Sequence, residues 1–130
     1  MEKILYLDNI GQTAKEIIKK ASKKANNKAT VFAFYGDLGA GKTTLTKEVA
    51  KQLGVKERVI SPNFVIMKIY KTKDAVFKNL IHIDAYRLKN SEELLKLGWE
   101  EMVNDKNNFI IVEWPENVPE CLPQDSHKIN

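Results

Sequence analysis

The chain has 130 residues and a mass of 14.9 kDa, which is the size of one ordinary domain. Hydrophobic residues make up 43% and charged residues 29%, so the composition excludes a disordered or fibrous protein. The net charge of +4 is compatible with an anionic partner but does not require one. The single cysteine, Cys121, excludes an internal disulfide framework and a cysteine-rich metal site.

We therefore expect one domain over residues 1–130, in a reducing compartment. The first residues lack the long apolar segment of a signal peptide. The longest apolar runs have about five residues, far fewer than the roughly 20 that a membrane-spanning helix needs. These features predict a cytoplasmic protein with no membrane partner.

The first predicted helix follows a short strand at residues 3–7. Apolar residues recur at helical spacing from Ile17 to Ala25. Thr13 with Glu16 three residues later is typical of a capping box, which predicts Thr13 as the N-cap. The lysines on the other face of this helix favour a solvated surface over an RNA-binding one.

A strand, a glycine-rich loop and a helix come next. Residues 31–35 (VFAFY) form an apolar run typical of a buried central strand, and residues 42–53 have helical spacing, with Gly54 placed to end the helix. Between them, residues 36–43 (GDLGAGKT) match the phosphate-loop pattern G-x-x-x-x-G-K-[ST] at every fixed position. A strand before and a helix after the pattern is the arrangement in which it binds nucleotide phosphates, so we interpret it as a phosphate loop.

Each part of this loop has a chemical role. The backbone amides would surround the phosphates at the positive end of the helix dipole. Lys42 would bind the β- and γ-phosphates, and the Thr43 hydroxyl would ligate Mg²⁺, so we expect a site for ATP and Mg²⁺. The predicted nucleotide-binding residues are Asp37, Leu38, Gly39, Ala40, Gly41, Lys42, Thr43 and Thr44.

Two carboxylates each follow an apolar run: Asp84 ends LIHID, and Glu113 follows FIIV. Strand ends in a parallel sheet meet near such a loop, and a carboxylate there is costly unless it binds a metal, a water or a partner. We predict that Asp84 holds Mg²⁺, and that Glu113 orients or deprotonates the attacking water or supports the Mg²⁺ shell. The alternative is that either residue caps a strand-end turn. The predicted catalytic residues are Lys42, Asp84 and Glu113, and the predicted metal ligands are Thr43, Asp84 and Glu113.

The rest of the chain completes the fold prediction. Residues 59–70 and 76–84 favour extended structure, Ser91 is predicted as the N-cap of another helix, and residues 115–130 are predicted to form an irregular tail. About five strands alternating with three helices predict an α/β, three-layer P-loop NTPase-like fold, with a mainly parallel central sheet and helices on both faces. His82, inside an apolar run, is interpreted as a buried, satisfied histidine rather than a ligand.

The order of these motifs resembles the TsaE family, the YjeE-type ATPases needed for threonylcarbamoyladenosine modification of tRNA. The resemblance covers about residues 1–120 and consists of GDLGAGKTTL, SPNF, HIDAYRL, EEL with Gly98, and VEWPE. It implies ATP binding, slow hydrolysis and association with the threonylcarbamoyl-transferase complex, with tRNA contacted only indirectly. It also implies that the chain is short at its C-terminus, from which we expect an open sheet edge or reduced stability.

Two alternative functions remain. A small-molecule or nucleoside kinase would need a second substrate pocket and usually an arginine-rich lid, whereas the arginines of this chain are Arg58 and Arg87. A nucleotide-binding module with little hydrolysis is suggested by Asn63, which stands where the family usually has a threonine. The sequence contains no N-K-x-D motif for reading guanine, which disfavours a GTPase.

Overall fold

A computed structural model describes residues 2–3, 9–23, 27–35, 39–57, 59 and 66–129, and for residues 2, 3, 23 and 39–42 it describes the backbone alone. The strands are β1 (Glu2–Lys3), β2 (Thr30–Phe34), β3 (Met67–Lys71), β4 (Asn79–Asp84), β5 (Asn108–Glu113) and β6 (His127–Ile129). The helices are α1 (Ile10–Lys23), α2 (Gly39–Gln52), α3 (Ser91–Leu95) and α4 (Trp99–Val103). Two single 3-10 turns, Pro115–Asn117 and Pro119–Cys121, follow β5.

The strands form one sheet in the order β1-β6-β2-β5-β4-β3. Every neighbouring pair is parallel except β3 and β4, which are antiparallel at one edge. Strands β2 and β5 are buried along their whole length, as expected where a parallel sheet is covered on both faces. The predicted mainly parallel central sheet is confirmed.

Helices cover both faces of this sheet, which is also as predicted. On one face, apolar residues of α1 and α2 pack against alternate residues of the strands, including Phe32, Phe34 and Phe109. On the other face, α3, α4 and the 3-10 turns pack against the intervening residues, including Ile83 and Ile110. We call these the α1/α2 face and the α3/α4 face. No helix in the described ranges is long and apolar enough to cross a membrane.

The capping prediction for α1 is wrong. The helix begins at Ile10, so Thr13 lies inside it, where its hydroxyl donates to the backbone oxygen of Asn9 over 3.1 Å. Ile10 is partly buried against the α1/α2 face, so the added turn gains apolar contact. The buried Thr13 satisfies its hydroxyl by bonding back along the helix instead of capping it.

The cap of α3 is displaced by one residue from the prediction. Asn90 is the N-cap, because its Oδ1 accepts the backbone N–H of Glu93 at 3.2 Å. Ser91 is the first helical residue and is buried, and its hydroxyl donates to the Glu120 carboxylate in the second 3-10 turn. Either residue type can cap a helix, and here tertiary packing assigns the serine to another partner.

The end of α2 is as predicted, although the helix begins three residues before the predicted start at Lys42. Gly54 has φ of 80°, and its N–H donates to Lys51 O at 3.1 Å while the N–H of Val55 donates to Ala50 O at 3.0 Å. This pair of bonds is a Schellman motif, which needs a left-handed residue. A Cβ at Gly54 would lie 2.9 Å from the Cβ of Lys73. Glycine is therefore required both by the left-handed conformation and by the close approach of Lys73.

The prediction of an irregular tail over residues 115–130 is wrong. Strand β6 lies inside the sheet, parallel to both β1 and β2, with Phe32 paired to His127 and Phe34 to Ile129. Its three residues include one buried apolar side chain, Ile129, which is too little to give a periodic signal. Strand β4 also begins later than predicted, because the Asp74 carboxylate accepts the N–H groups of Val76 and Phe77 and holds them in a turn.

Candidate functional site

The carboxyl ends of three adjacent strands are in register. Phe34 of β2 is paired with Glu113 of β5, and Glu113 is paired with Asp84 of β4. The chain leaves β2 after Phe34 and enters α2 at Gly39. The two predicted carboxylates therefore lie side by side at the carboxyl ends of the strands, next to the end of β2, after which the glycine-rich sequence follows.

Both carboxylates also lie on the sheet face that α2 covers. Side chains alternate along a strand, so residues four apart share a face. Asp84 comes four residues after Leu80, and Glu113 four residues after Phe109; both apolar residues belong to the α1/α2 core. Asp84 and Glu113 are thus directed to the same side of the sheet as α2, whose first turn contains the described part of the predicted phosphate loop.

Of the predicted nucleotide-binding residues, Asp37 and Leu38 lie outside the described residues. The backbone of Gly39, Ala40, Gly41 and Lys42 forms the first turn of α2. Thr43 is half-buried and Thr44 is exposed. The first turn of a helix has backbone N–H groups without helical acceptors and the positive end of the dipole, so this segment is suited to an anion.

Asp84 is half-buried and shapes the turn that follows β4. Its Oδ1 accepts the backbone N–H of Tyr86 at 3.0 Å, and its own N–H donates to Ile66 O at 2.8 Å. The strand-end turn that the sequence left open for Asp84 is therefore present. The turn uses Oδ1 as an acceptor from a neutral donor, so it does not neutralise the carboxylate.

Glu113 has a different environment, since it is 5% exposed. Its Oε2 contacts Nε2 of His82, which is fully buried, and its backbone oxygen accepts the N–H of Ala85 at 3.0 Å. The prediction that His82 is buried is confirmed, but its satisfaction is only partial, because its Nδ1 has no hydrogen-bond partner among the described residues.

Sequence reasoning did not pair His82 with Glu113, although a signal was present. His82 and Asp84 are two residues apart on β4 and therefore share a face. A histidine on that face of β4 lies diagonal to a strand-end carboxylate of β5 once the two strands are paired in parallel. The sequence does not show the register between β4 and β5, and without it the positions of His82 and Glu113 could not be related.

The turns after β4 and β5 are joined beside the carboxylates. The Tyr86 and Trp114 rings lie 5.0 Å apart at 60°, and Asn117 Nδ2 donates to Ala85 O at 2.9 Å. Trp114 has φ of 57°, which makes it the one non-glycine residue with positive φ in the part of the chain that the structure describes. This left-handed residue turns the chain sharply after Glu113.

The available side chains fit Mg²⁺ bound together with a nucleotide. A hydroxyl and two carboxylates, from Thr43, Asp84 and Glu113, are the hard oxygen donors that Mg²⁺ prefers. Within the described ranges, no group of three or more His, Cys, Asp or Glu residues could hold a metal by itself. In nucleotide sites, Mg²⁺ commonly takes one or two carboxylates and completes its shell with waters and phosphates.

Comparison with known proteins identifies the family. The family model described as "Threonylcarbamoyl adenosine biosynthesis protein TsaE" matches residues 8–130. Three relatives carry the name "tRNA threonylcarbamoyladenosine biosynthesis protein TsaE". The Rickettsia typhi protein is 41% identical over 73% of this chain and 63% of its own length. The Rickettsia felis protein is 34% identical over 98% and 71%, and the Bacillus subtilis protein is 41% identical over 76% and 59%.

A solved structure supports the same assignment. The crystal structure of Bacillus subtilis YdiB is 32% identical in sequence, superposes with a TM-score of 0.62, and covers 92% of this chain and 70% of its own. The predicted P-loop NTPase-like fold is thereby confirmed. The match to the Rickettsia typhi relative spans just under two thirds of that protein. The family model matches residues 8–130, and the Rickettsia felis relative aligns with 98% of this chain. The chain therefore belongs to the TsaE family.

Proposed function

We propose that this protein binds ATP with Mg²⁺, hydrolyses it, and thereby supports the N6-threonylcarbamoyladenosine modification of tRNA by acting on the threonylcarbamoyl-transferase complex. One observation carries the proposal: the register that aligns Phe34, Glu113 and Asp84 at the carboxyl ends of β2, β5 and β4. This register supports the proposal because the two carboxylates end strands next to β2, and the sequence that follows β2 is that of a phosphate loop.

The chain's own residues divide the work of binding. The backbone amides at the start of α2 bind phosphate oxygens, and the Lys42 ammonium binds the β- and γ-phosphates. Thr43 and Asp84 hold Mg²⁺, which when bound neutralises negative charge on the phosphate oxygens. Lys42 and Thr43 belong to the first turns of α2, and Asp84 ends β4, so catalysis is mainly positioning and electrostatics.

Glu113 orients the attacking water and accepts its proton. Its buried position excludes bulk solvent, and its Oε2 contacts Nε2 of His82. The water oxygen bonds to the γ-phosphorus, the bond from that phosphorus to the β-bridging oxygen breaks, and ADP and phosphate result. A carboxylate in this position contributes roughly 10²–10⁴-fold to the rate as a general base.

Activity of the isolated protein is weak, and the transferase complex increases it. Phosphoryl-transfer sites commonly use an arginine to stabilise charge in the transition state. Arg87 lies in the turn region after β4, and Arg58 lies outside the described residues, so the chain has few candidates. Family membership supports the same partner, since the relatives are named for biosynthesis of the modified nucleoside.

The test measures ATP binding and phosphate release for wild type, Lys42→Ala and Glu113→Ala, each with and without the transferase complex. We expect Lys42→Ala to lose binding, and Glu113→Ala to keep binding but lose hydrolysis. Lys78→Ala, at the opposite end of the sheet, is the matched control and should behave as wild type. Normal binding and hydrolysis by Lys42→Ala would contradict the proposal, and phosphorylation of a hydroxyl acceptor would favour the kinase alternative.

A further inference from the structure

His82 and Glu113 form a polar pair buried in the sheet. The His82 side chain is 1% exposed and the Glu113 side chain 7%, and Nε2 of the first contacts Oε2 of the second. Such a pair is expensive to bury unless its hydrogen bonds are made. The neighbouring positions on this face, such as Leu80 and Ile111, are apolar, so apolar side chains would also suit the positions of His82 and Glu113. Burial of apolar area therefore does not explain why these two residues are polar.

The hydrogen bonding of the imidazole identifies the donor. Nδ1 of His82 is buried and has no partner among the described residues. A buried N–H without an acceptor is rarer than a buried acceptor without a donor. The proton therefore lies on Nε2, where it is donated to Glu113, and Nδ1 keeps a lone pair.

This bond restricts the carboxylate. A glutamate has three rotatable side-chain bonds, and without a partner its oxygens sample several orientations. Donation from a histidine fixed by burial on both sides holds Oε2, which leaves Oε1 as the oxygen for a second partner. Histidine and glutamate come from adjacent parallel strands, so the sheet itself sets the direction of the bond.

We infer that His82 is a positioning residue, which holds the Glu113 carboxylate so that one oxygen is presented to the attacking water. This inference rests on the proposed hydrolysis, and it assigns to His82 a role in turnover rather than in nucleotide binding. Partners that orient metal ligands commonly change affinity or activity by about 10–100-fold when they are removed, and we expect a similar loss for a partner that orients a general base.

The kinetic test uses two substitutions of His82. Leucine fills a similar volume without a donor, whereas glutamine carries an amide nitrogen as many bonds from Cβ as Nε2. We expect His82→Leu to lower kcat about 10–100-fold with the KM for ATP changed less than about twofold, and His82→Gln to recover most of the loss. Thermal unfolding of each variant identifies those that fold. A folded His82→Leu with wild-type kcat, or a folded His82→Gln as slow as His82→Leu, would overturn the inference.

A double-mutant cycle separates positioning from a merely structural role. In the Glu113→Gln background the general base is already lost, so adding His82→Leu should lower kcat by less than about twofold further. A further loss as large as in the wild-type background would overturn the inference. Wild-type hydrolysis measured in parallel distinguishes the two proposals, because an inactive wild type contradicts the proposed function itself.

A measurement without nucleotide tests the same bond. Nitrogen-15 NMR of the imidazole in the free protein reports which ring nitrogen carries hydrogen. We expect a protonated Nε2 and an unprotonated Nδ1 in wild type, and in Lys78→Ala as the control. An Nε2 without hydrogen would overturn the assignment of His82 as the donor.

Discussion

The amino and carboxyl ends of the strands in the central sheet offer different groups for binding an anion. At the amino ends of β2, β4 and β5, a cavity of about 320 Å³ is lined by residues that include Lys28, Lys78 and Lys106. At the carboxyl ends, Asp84 and Glu113 are in register beside the start of α2. The amino end has positive side chains and a measurable cavity, yet it lacks the phosphate-loop sequence and paired carboxylates. A nucleotide site depends more on oriented backbone amides and metal-binding oxygens than on lysine charge and volume.

The acids near the amino end have local structural roles. Asp74 accepts the N–H groups of Val76 and Phe77, both at 2.9 Å, and Asp105 accepts that of Asn107 at 2.9 Å. These bonds close turns just before β4 and β5.

The largest expected effect is a loss of turnover from a substitution at the carboxyl end of the sheet. Glu113→Gln keeps an acceptor for His82 but removes the base, so we expect kcat to fall about 100-fold or more while the fold is retained. Lys106→Gln at the amino end is the control and should leave kcat within about twofold. Steady-state phosphate release and circular dichroism measure the two properties. Comparable losses from both substitutions would remove the distinction between the ends.

The next largest effect is a loss of stability from a substitution in the core of the α3/α4 face, which packs under both ends of the sheet. Ile110 is fully buried on the α3/α4 face, so Ile110→Ala should lower the free energy of unfolding by about 2–5 kcal/mol. We expect turnover per folded molecule to change little, because the carboxylates lie on the opposite face. Leu95→Ala, 43% exposed, is the control and should stay within about 0.5 kcal/mol. Denaturant unfolding with equal midpoints for both variants would be inconsistent with the packing described.

A smaller effect tests the cap of α3, which lies on the α3/α4 face. Asn90→Ala removes the acceptor for the Glu93 N–H and should cost about 1 kcal/mol of unfolding free energy. Lys89→Ala, one residue earlier and exposed, should cost less than about 0.5 kcal/mol. If denaturant unfolding gave the two variants the same stability, Asn90 would not be the cap.

The smallest effect concerns the hydrogen bond between Ser91 and Glu120. The bond from Ser91 is the main cause that lowers the pKa of the Glu120 carboxyl below its ordinary value. A lowered pKa stabilises the fold above the unfolded pKa, and this contribution disappears as the pH falls through the folded value. Ser91→Ala should therefore raise the Glu120 pKa in an NMR titration and flatten the acid side of the stability curve. An unchanged Glu120 pKa would show that the bond is absent in solution.

The strongly patterned parts of the fold were predictable from the sequence. Residues 31–35 predicted a buried central strand because the run is apolar on both faces, and Gly54 predicted the end of α2 because few other residues adopt a left-handed conformation there. Strand β6 was not predictable, because its three residues form a strand only where β1 and β2 supply hydrogen bonds on both sides. Local signals also placed the caps of α1 and α3 wrongly, since tertiary contacts of Ile10 and Ser91 decide both.

The candidate site was predictable in its components but not in its internal contacts. The placement of Asp84 and Glu113 at adjacent strand ends followed from their positions after apolar runs. Their different environments, a turn for Asp84 and a buried histidine for Glu113, depend on register and on the backbone after each strand. The nucleotide-binding, metal-binding and catalytic roles of the site residues all stay predictions, and Asp37, Leu38 and Asn63 lie outside the described residues.

The most direct test of the central claim is hydrogen–deuterium exchange with and without saturating Mg²⁺ and ATP. A site at the carboxyl end predicts slower exchange of backbone amides in residues 39–44, 84–86 and 113–114. Residues 28–30, 76–78 and 106–107, around the lysine-lined cavity, should be unchanged. Protection confined to the amino end, or no protection in either region, would contradict the account.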